Sequence, residues 1–234
     1  LWDKPRMHFR GGEVGASCSR ALTLRCAGHN VPFKAKTLRI FRTGNKIEDS
    51  LVEVLTEAEV IDSTQGEVWH DDPPVRGKLD AQVKRDASIK IGEFKSINHR
   101  AFENLPKEHG LVLAGQTPLM QKKPGYVHQL NGYLVMGGYD EGFLLFENKD
   151  DGEQKCYWLL PDNALFEDGL TQLRIAFPYV QANPQKIAPI PNERDPFNGD
   201  AVCVNCDARY LCKLIPKEGS TIGRAKELDA TVRG

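Results

Sequence analysis

The sequence predicts a mixed α/β fold, a central mixed sheet flanked by helices. Three patterning features predict it. Alternating apolar and polar residues mark strands at Arg76–Val83 (RGKLDAQV) and Ser88–Lys95 (SIKIGEFK). Apolar residues spaced by three and four mark helices at Ile47–Val60 and Asn163–Gln181. The two patterns interleave along the chain, as they must where helices cover a sheet.

Taken in order, residues 1–45 are basic and mixed, without a clear period. Ile47, Leu51, Val54, Leu55 and Ala58 predict a first helix. Glu67–His70 reads as a short strand. The strands at Arg76–Val83 and Ser88–Lys95 follow, joined by the turn-like Lys84-Arg85-Asp86-Ala87. Residues 99–124 read as loop, with Pro106, Gly110, Gly115, Pro118 and Pro124. Tyr126, Leu130, Tyr133 and Leu134 then suggest a helix opened by Pro124. Gly142–Glu147 and Cys156–Leu160 read as strands, and Asn163–Gln181 as a helix around Leu170, Leu173 and Phe177. Residues 183–200 hold four prolines and read as an extended crossover. Cys203, Cys206 and Cys212 come next, and after them a polar tail. The whole of 1–234 is expected to form a single domain.

At 234 residues with 40% hydrophobic content, the chain can bury a core without covalent staples. Its six cysteines therefore call for another explanation. No apolar run approaches the roughly 20 residues that span a bilayer, and Leu1–Gly12 is polar and basic, unlike a secretory leader. A cytoplasmic location, no membrane partner and reduced thiols are the expectation. The net charge of −1 excludes a global attraction to nucleic acid, so any such site must be a local basic patch.

The most informative side chains are Asp80, Glu93 and Lys95. Residues i and i+2 of a strand face the same side, so Glu93 and Lys95 project together. A neighbouring strand carrying Asp80 would bring a second carboxylate to them. Clustered carboxylates resist joint ionisation and favour a hard divalent cation. A lysine beside that cation can position or deprotonate water, or stabilise charge developing on phosphate.

These residues have company: Gly77-Lys78-Leu79-Asp80 is a G-x-x-D, and Glu93-Phe94-Lys95 is an E-x-K. Gln129 to Tyr133 is a Q-x-x-x-Y, and Gly44 to Glu48 is a G-x-x-x-E opening the first helix. In this order the motifs resemble the RecB-like branch of the PD-(D/E)XK nucleases, which have a restriction-endonuclease-like core, and in particular Cas4-like and phage exonucleases. The resemblance covers roughly Gly15 to Cys212. It implies a metal-dependent deoxyribonuclease, with Asp80, Glu93 and the Phe94 backbone carbonyl ligating Mg²⁺ or Mn²⁺ and Lys95 catalytic. Gln129 and Tyr133, on one helix face, would touch DNA or organise the site. Glu48 would be a further ligand, where many Cas4 proteins carry histidine. The implied setting is recombination, repair or CRISPR adaptation in a prokaryotic or phage-infected cell. DNA with a single strand or free ends is the implied partner, with a recombination or adaptation protein and a second copy of the chain as further candidates.

Cys203, Cys206 and Cys212 form C-x2-C-x5-C. Two thiolates at x2 spacing chelate one metal centre, but a zinc ribbon would show a second C-x-x-C, which this sequence lacks. The pattern resembles the iron–sulfur nucleases of the same branch, which implies a [4Fe–4S] cluster with four thiolates. The regions 15–26 and 200–214 would then be joined by the cluster. Helical spacing does not separate Cys18 from Cys26 as the fourth ligand; the resemblance assigns Cys18, which is followed two residues on by Arg20. Cys156 reads as a small buried hydrophobe. Arg20, Lys122 and Lys123, with Gln129 and Tyr133, are the expected DNA contacts. The rival readings are a non-cleaving DNA-binding iron–sulfur or zinc module, and a subunit active only within a larger complex.

Overall fold

The computed structural model describes residues 2–29, 33, 35–85, 87–107, 110–182, 186–198 and 200–233. Asp86 of the expected turn and residues 183–185 and 199 of the expected crossover lie outside them. The strands are β1 (Phe9–Arg10), β2 (Ile61–Ser63), β3 (Glu67–Asp71), β4 (Pro74–Lys78), β5 (Ala81–Arg85), β6 (Ser88–Ile97), β7 (Val112–Leu113), β8 (Gly142–Asn148), β9 (Gln154–Leu160), β10 (Lys186–Ile187) and β11 (Ser220–Thr221). The helices are α1 (Ser19–Cys26), α2 (Ala35–Glu57), α3 (His99–Glu103), α4 (Pro118–Lys122), α5 (Pro124–Gly137), α6 (Asn163–Gln181), α7 (Ala201–Val204), α8 (Arg209–Leu214) and α9 (Ile222–Arg233).

A six-stranded mixed sheet in the order β2-β5-β6-β8-β9-β7 forms the centre. β5 and β6 make the expected antiparallel hairpin, with Ala81 opposite Gly92. β6 and β8 run parallel, with Glu93 beside Leu144 and Lys95 beside Phe146. Parallel neighbours need a long crossover, and α3, α4 and α5 supply it. One face of the sheet packs on α5 through Leu130, Tyr133, Leu134, Leu144 and Phe146. The other receives Leu51 and the half-buried Ile47 and Leu55 of α2, against Phe94, Phe143 and Leu145. Asp162 caps α6, accepting from Leu165 N at 3.0 Å, and Asn131 of α5 clasps its backbone at 2.8 and 2.9 Å.

Three expectations are corrected. Arg76–Val83 is not one strand. It breaks at Leu79-Asp80, so β4 joins a separate three-stranded sheet, β1-β4-β3, while β5 enters the large sheet. Gly44-x-x-x-Glu48 does not open a helix, because α2 begins at Ala35 and α1 precedes it. The first turns of α2 leave Leu38, Ile40 and Phe41 exposed, so no buried stripe announces them. The polar tail is not loose. Ile222, Ala225 and Leu228 of α9 pack against Leu24, Ile187, Leu211 and Ile215, and Asp229 accepts from Trp2 Nε1 at 2.9 Å and Tyr210 OH at 2.8 Å. A fourth, smaller correction is Cys156, which is exposed on β9 and not buried.

Candidate active site

Strand period two puts Glu93 and Lys95 together as expected. Glu93 is 2% exposed, and Lys95 Nζ donates to its Oε1 at 2.5 Å. Asp80 arrives on the bend between β4 and β5, where its Oδ2 accepts from Phe94 N at 2.9 Å and lies 4.0 Å from Lys95 Nζ. That bond from the β6 backbone, just past the last β5–β6 ladder pair, holds the carboxylate beside the strand that carries Glu93. Glu48 approaches from the middle of α2, accepting from Ser96 N and Oγ at 3.4 Å each. From α5, Gln129 Nε2 donates to Glu93 Oε1 at 2.5 Å and to Tyr133 OH at 3.0 Å. The structure therefore brings Glu48, Asp80, Glu93, Lys95, Gln129 and Tyr133 together, from four separate segments.

The electrostatics follow from burial. Desolvation pushes the Glu93 carboxyl up to about 8, with Lys95 opposing and Asp80 adding to the rise. Burial also raises Glu48, against the pull of Lys95 and the Ser96 bonds. For Lys95, burial works to lower the value, but Glu93 and Asp80 outweigh it and favour the ammonium. Tyr133 is pushed up to about 12 by burial and the adjoining Glu93. Glu93 Oε2 is buried with no hydrogen-bond partner among the described residues. Such an orphaned buried carboxyl oxygen is costly, and it fits a cation donor set, since a bound cation would favour the ionised form. Among the described residues, however, no three His, Cys, Asp or Glu side chains stand as a ready-made metal cage.

Tyr133 is both core and site. Its ring is gripped between Gly11 and Gly77, where a Cβ would lie 2.1 Å and 2.3 Å from Cε1. The G-x-x-D glycine thus permits the close approach of α5 to β4. Gly11 belongs to a 3₁₀ turn, Gly11–Glu13, which sequence patterning did not reveal. A cleft of about 500 Å³ opens beside Gln129 and Tyr133, lined also by Arg10, Arg25, Arg76 and Lys78. The alternation of Arg76, Gly77 and Lys78 was the available sign that two cations share one strand face.

The expected DNA contacts fare differently. Arg20 is 1% exposed and is corrected: it donates to the carbonyls of Ala188 at 2.8 Å, Lys217 at 3.1 Å and Pro216, and cannot reach a phosphate from there. Lys122 is exposed at the end of α4 and Lys123 half-buried beside it. They precede Tyr126, whose ring centroid is 5.7 Å from Lys95 Nζ.

Cys18, Cys203, Cys206 and Cys212 line one small pocket with Arg20, of about 20 Å³. Cys26 does not join them. It is buried against Phe9 and Leu173, with its thiol 3.8 Å from the His8 carbonyl and pushed up to about 12 by burial. Arg20 Nη1 lies 3.6 Å from Cys212 Sγ. No carboxylate pairs with this buried guanidinium among the described residues; burial raises the Cys212 thiol, and Arg20 opposes that rise.

No family model and no curated protein matches the chain. Solved structures do. The alkaline exonuclease LHK-Exo from Laribacter hongkongensis overlays with a TM-score of 0.51 at 16% identity, covering 76% of this chain and 89% of that one. The chain shares that fold. The structure of LHK-Exo in complex with dAMP gives the same TM-score at 17% identity, with the same coverage. A phage-related exonuclease from Haemophilus somnus 129PT, with a TM-score of 0.49 at 15% identity over 69% of this chain and 78% of that one, is too distant to carry weight. Among the described residues no helix is long and apolar enough to cross a membrane.

Proposed function

We propose that the chain is a metal-dependent DNA exonuclease of the PD-(D/E)XK type, one nuclease domain over residues 1–234, acting on single-stranded or end-frayed DNA in recombination, repair or CRISPR adaptation. The observation that carries this is Glu93: buried, with one oxygen shared by Lys95 and Gln129 and the other without a partner among the described residues, beside Asp80 and Glu48. The fold shared with an exonuclease whose structure holds dAMP supports the choice of nucleic acid as substrate.

Asp80, Glu93, Glu48 and the Phe94 carbonyl would hold Mg²⁺ or Mn²⁺. When bound, the cation supplies Lewis-acid polarisation of the phosphate and acidifies a water. Lys95 Nζ, within reach of both carboxylates, orients that water or meets charge developing on the phosphate. Gln129 donates to the same Glu93 oxygen as Lys95, and Tyr133 OH accepts from Gln129. End-labelled and circular DNA, single- and double-stranded, incubated with Mg²⁺ or Mn²⁺ provide the test. Only molecules with ends should be degraded, and Lys95→Ala should lose ~10²–10⁴-fold in rate. DNA binding without cleavage in either metal would instead establish a non-cleaving module.

The thiols of Cys18, Cys203, Cys206 and Cys212 would be the donor set of a [4Fe–4S] cluster, and the buried Arg20 cation beside them favours a negatively charged occupant. The cluster would tie α1 to the C-terminal segment, a structural task that phosphodiester hydrolysis does not otherwise require. A single zinc ion is the second reading, favoured by the small enclosed volume. Brown colour with visible thiolate-to-iron absorbance, against a colourless zinc-containing protein, separates the two.

A further inference from the structure

The three-stranded sheet β1-β4-β3 has an outer face that the proposed chemistry does not use. Arg10 of β1 sits beside Arg76 of β4, and Arg76 is opposite Trp69 of β3. Lys78 follows on the same face of β4. All four are exposed, Trp69 to 65%. Arg10, Arg76 and Lys78 make no ion pair among the described residues, and Glu13, the acid nearest Arg10, is already paired with Arg6 at 2.6 Å. Like charges side by side on adjacent strands oppose the pairing that holds the sheet. A large exposed indole adds a second unfavourable feature. Glu67 and Asp71 flank Trp69 on β3, so the cationic strip is confined to β4 and β1.

The strip leads somewhere. A cleft of about 440 Å³ is lined by Trp69, Arg76 and Lys78. The cleft beside Gln129 and Tyr133 shares Arg76 and Lys78 with it and adds Arg10. The second is also lined by Gln129, which touches Glu93. An aromatic platform followed by spaced cations matches a polyanion with free π-faces. A duplex keeps its base faces inside the stack, so Trp69 selects for unpaired bases.

We propose that this face is a track for an unpaired nucleic-acid strand: Trp69 stacks on a base, and Arg76, Lys78 and Arg10 bind successive phosphates leading toward Glu93. The destination of the track rests on the nuclease reading; the binding itself does not.

The test uses the full chain in EDTA, with a labelled oligothymidylate, a blunt duplex and polyglutamate as probes. The single strand should quench tryptophan fluorescence, and Trp69→Phe should abolish the quench although Trp2 and Trp158 remain. Trp69→Ala should weaken the single strand about 5- to 100-fold, with the duplex unchanged. Arg76→Ala and Lys78→Ala should each lower the slope of log affinity against log salt by about 0.7. Single-strand affinity equal to wild type in Trp69→Ala, or equal binding and quenching by polyglutamate, overturns the proposal. If quenching and binding behave as described but no DNA is cut in Mg²⁺ or Mn²⁺, the nuclease reading fails and the track stands. If cutting proceeds while the Trp69 and Arg76 variants bind normally, the track fails and the nuclease reading stands.

Discussion

Replacing Arg20 with methionine keeps most of the side-chain volume and removes a cation that is 1% exposed. Its guanidinium donates to Ala188 O at 2.8 Å, Lys217 O at 3.1 Å and Pro216 O, with longer bonds to Cys212 O and Ile215 O at 3.4 Å. Each buried carbonyl left without a donor costs ~1–3 kcal/mol. These costs are not additive, since a loosened segment can turn some carbonyls to water. Three strong bonds lost together therefore cost about 3–5 kcal/mol, a large share of the ~5–15 kcal/mol that holds a domain folded. Arg20→Met should lower the urea midpoint sharply and expose the 186–217 segment to protease first. At denaturant-free conditions where the variant is still folded, its affinity for a labelled oligonucleotide should match the wild type. The opposite result, unchanged stability with lost DNA affinity, would refute the burial argument and restore Arg20 as a phosphate contact.

Other perturbations test other joints. Gly77→Ala puts a Cβ 2.3 Å from Tyr133 Cε1, an atom that Gly11 also crowds; a stability loss of ~1–3 kcal/mol by urea titration is expected, with cleavage falling because Gln129 moves with Tyr133. His128 is held below its ordinary value by burial, with Asp168 opposing, and its Nδ1 has no hydrogen-bond partner among the described residues. Its folded value is depressed, so its contribution is complete above about 6.5, the unfolded value, and is lost as pH falls through the folded one. The wild type should therefore lose stability relative to His128→Gln as pH falls below about 6.5, and parallel curves would refute this. Asp229→Ala removes the acceptor of Trp2 Nε1 and one of the partners of Tyr210 OH, which keeps His29 Nε2 at 2.9 Å; a cost of about 1–3 kcal/mol and faster proteolysis of α9 are expected, and an unchanged digestion pattern would show that α9 is held by its apolar face alone.

Some of the site was legible in the sequence because it is local. Glu93 and Lys95 share a face through the strand period, and Gln129 and Tyr133 through the helix period. Neither relation depends on the rest of the chain. The two-residue spacing of Cys203 and Cys206 is equally local. α6 buries one stripe and follows its helical period, while β8 reads as the unbroken apolar run expected of a strand buried on both faces. The tail helix was hidden in a polar stretch, although Ile222, Ala225 and Leu228 carried a weak helical spacing.

What only the tertiary structure decided is which elements meet. Asp80 reaches Glu93 from a bend, outside the alternation that suggested it, because β4 leaves for another sheet there. Glu48 comes from mid-helix, placed by how α2 lies on β6. Cys18 and Cys26 share a helical period, and packing separates them: Cys26 turns into the apolar core with Phe9, and Cys18 faces the C-terminal thiols. Arg20 looks like a surface cation in one dimension and becomes a buried clasp once residues 186–217 close over α1. Periodicity tells a side chain which way to point from its own backbone. What it points at is set by long-range packing, where apolar burial and carbonyls needing donors select the partner.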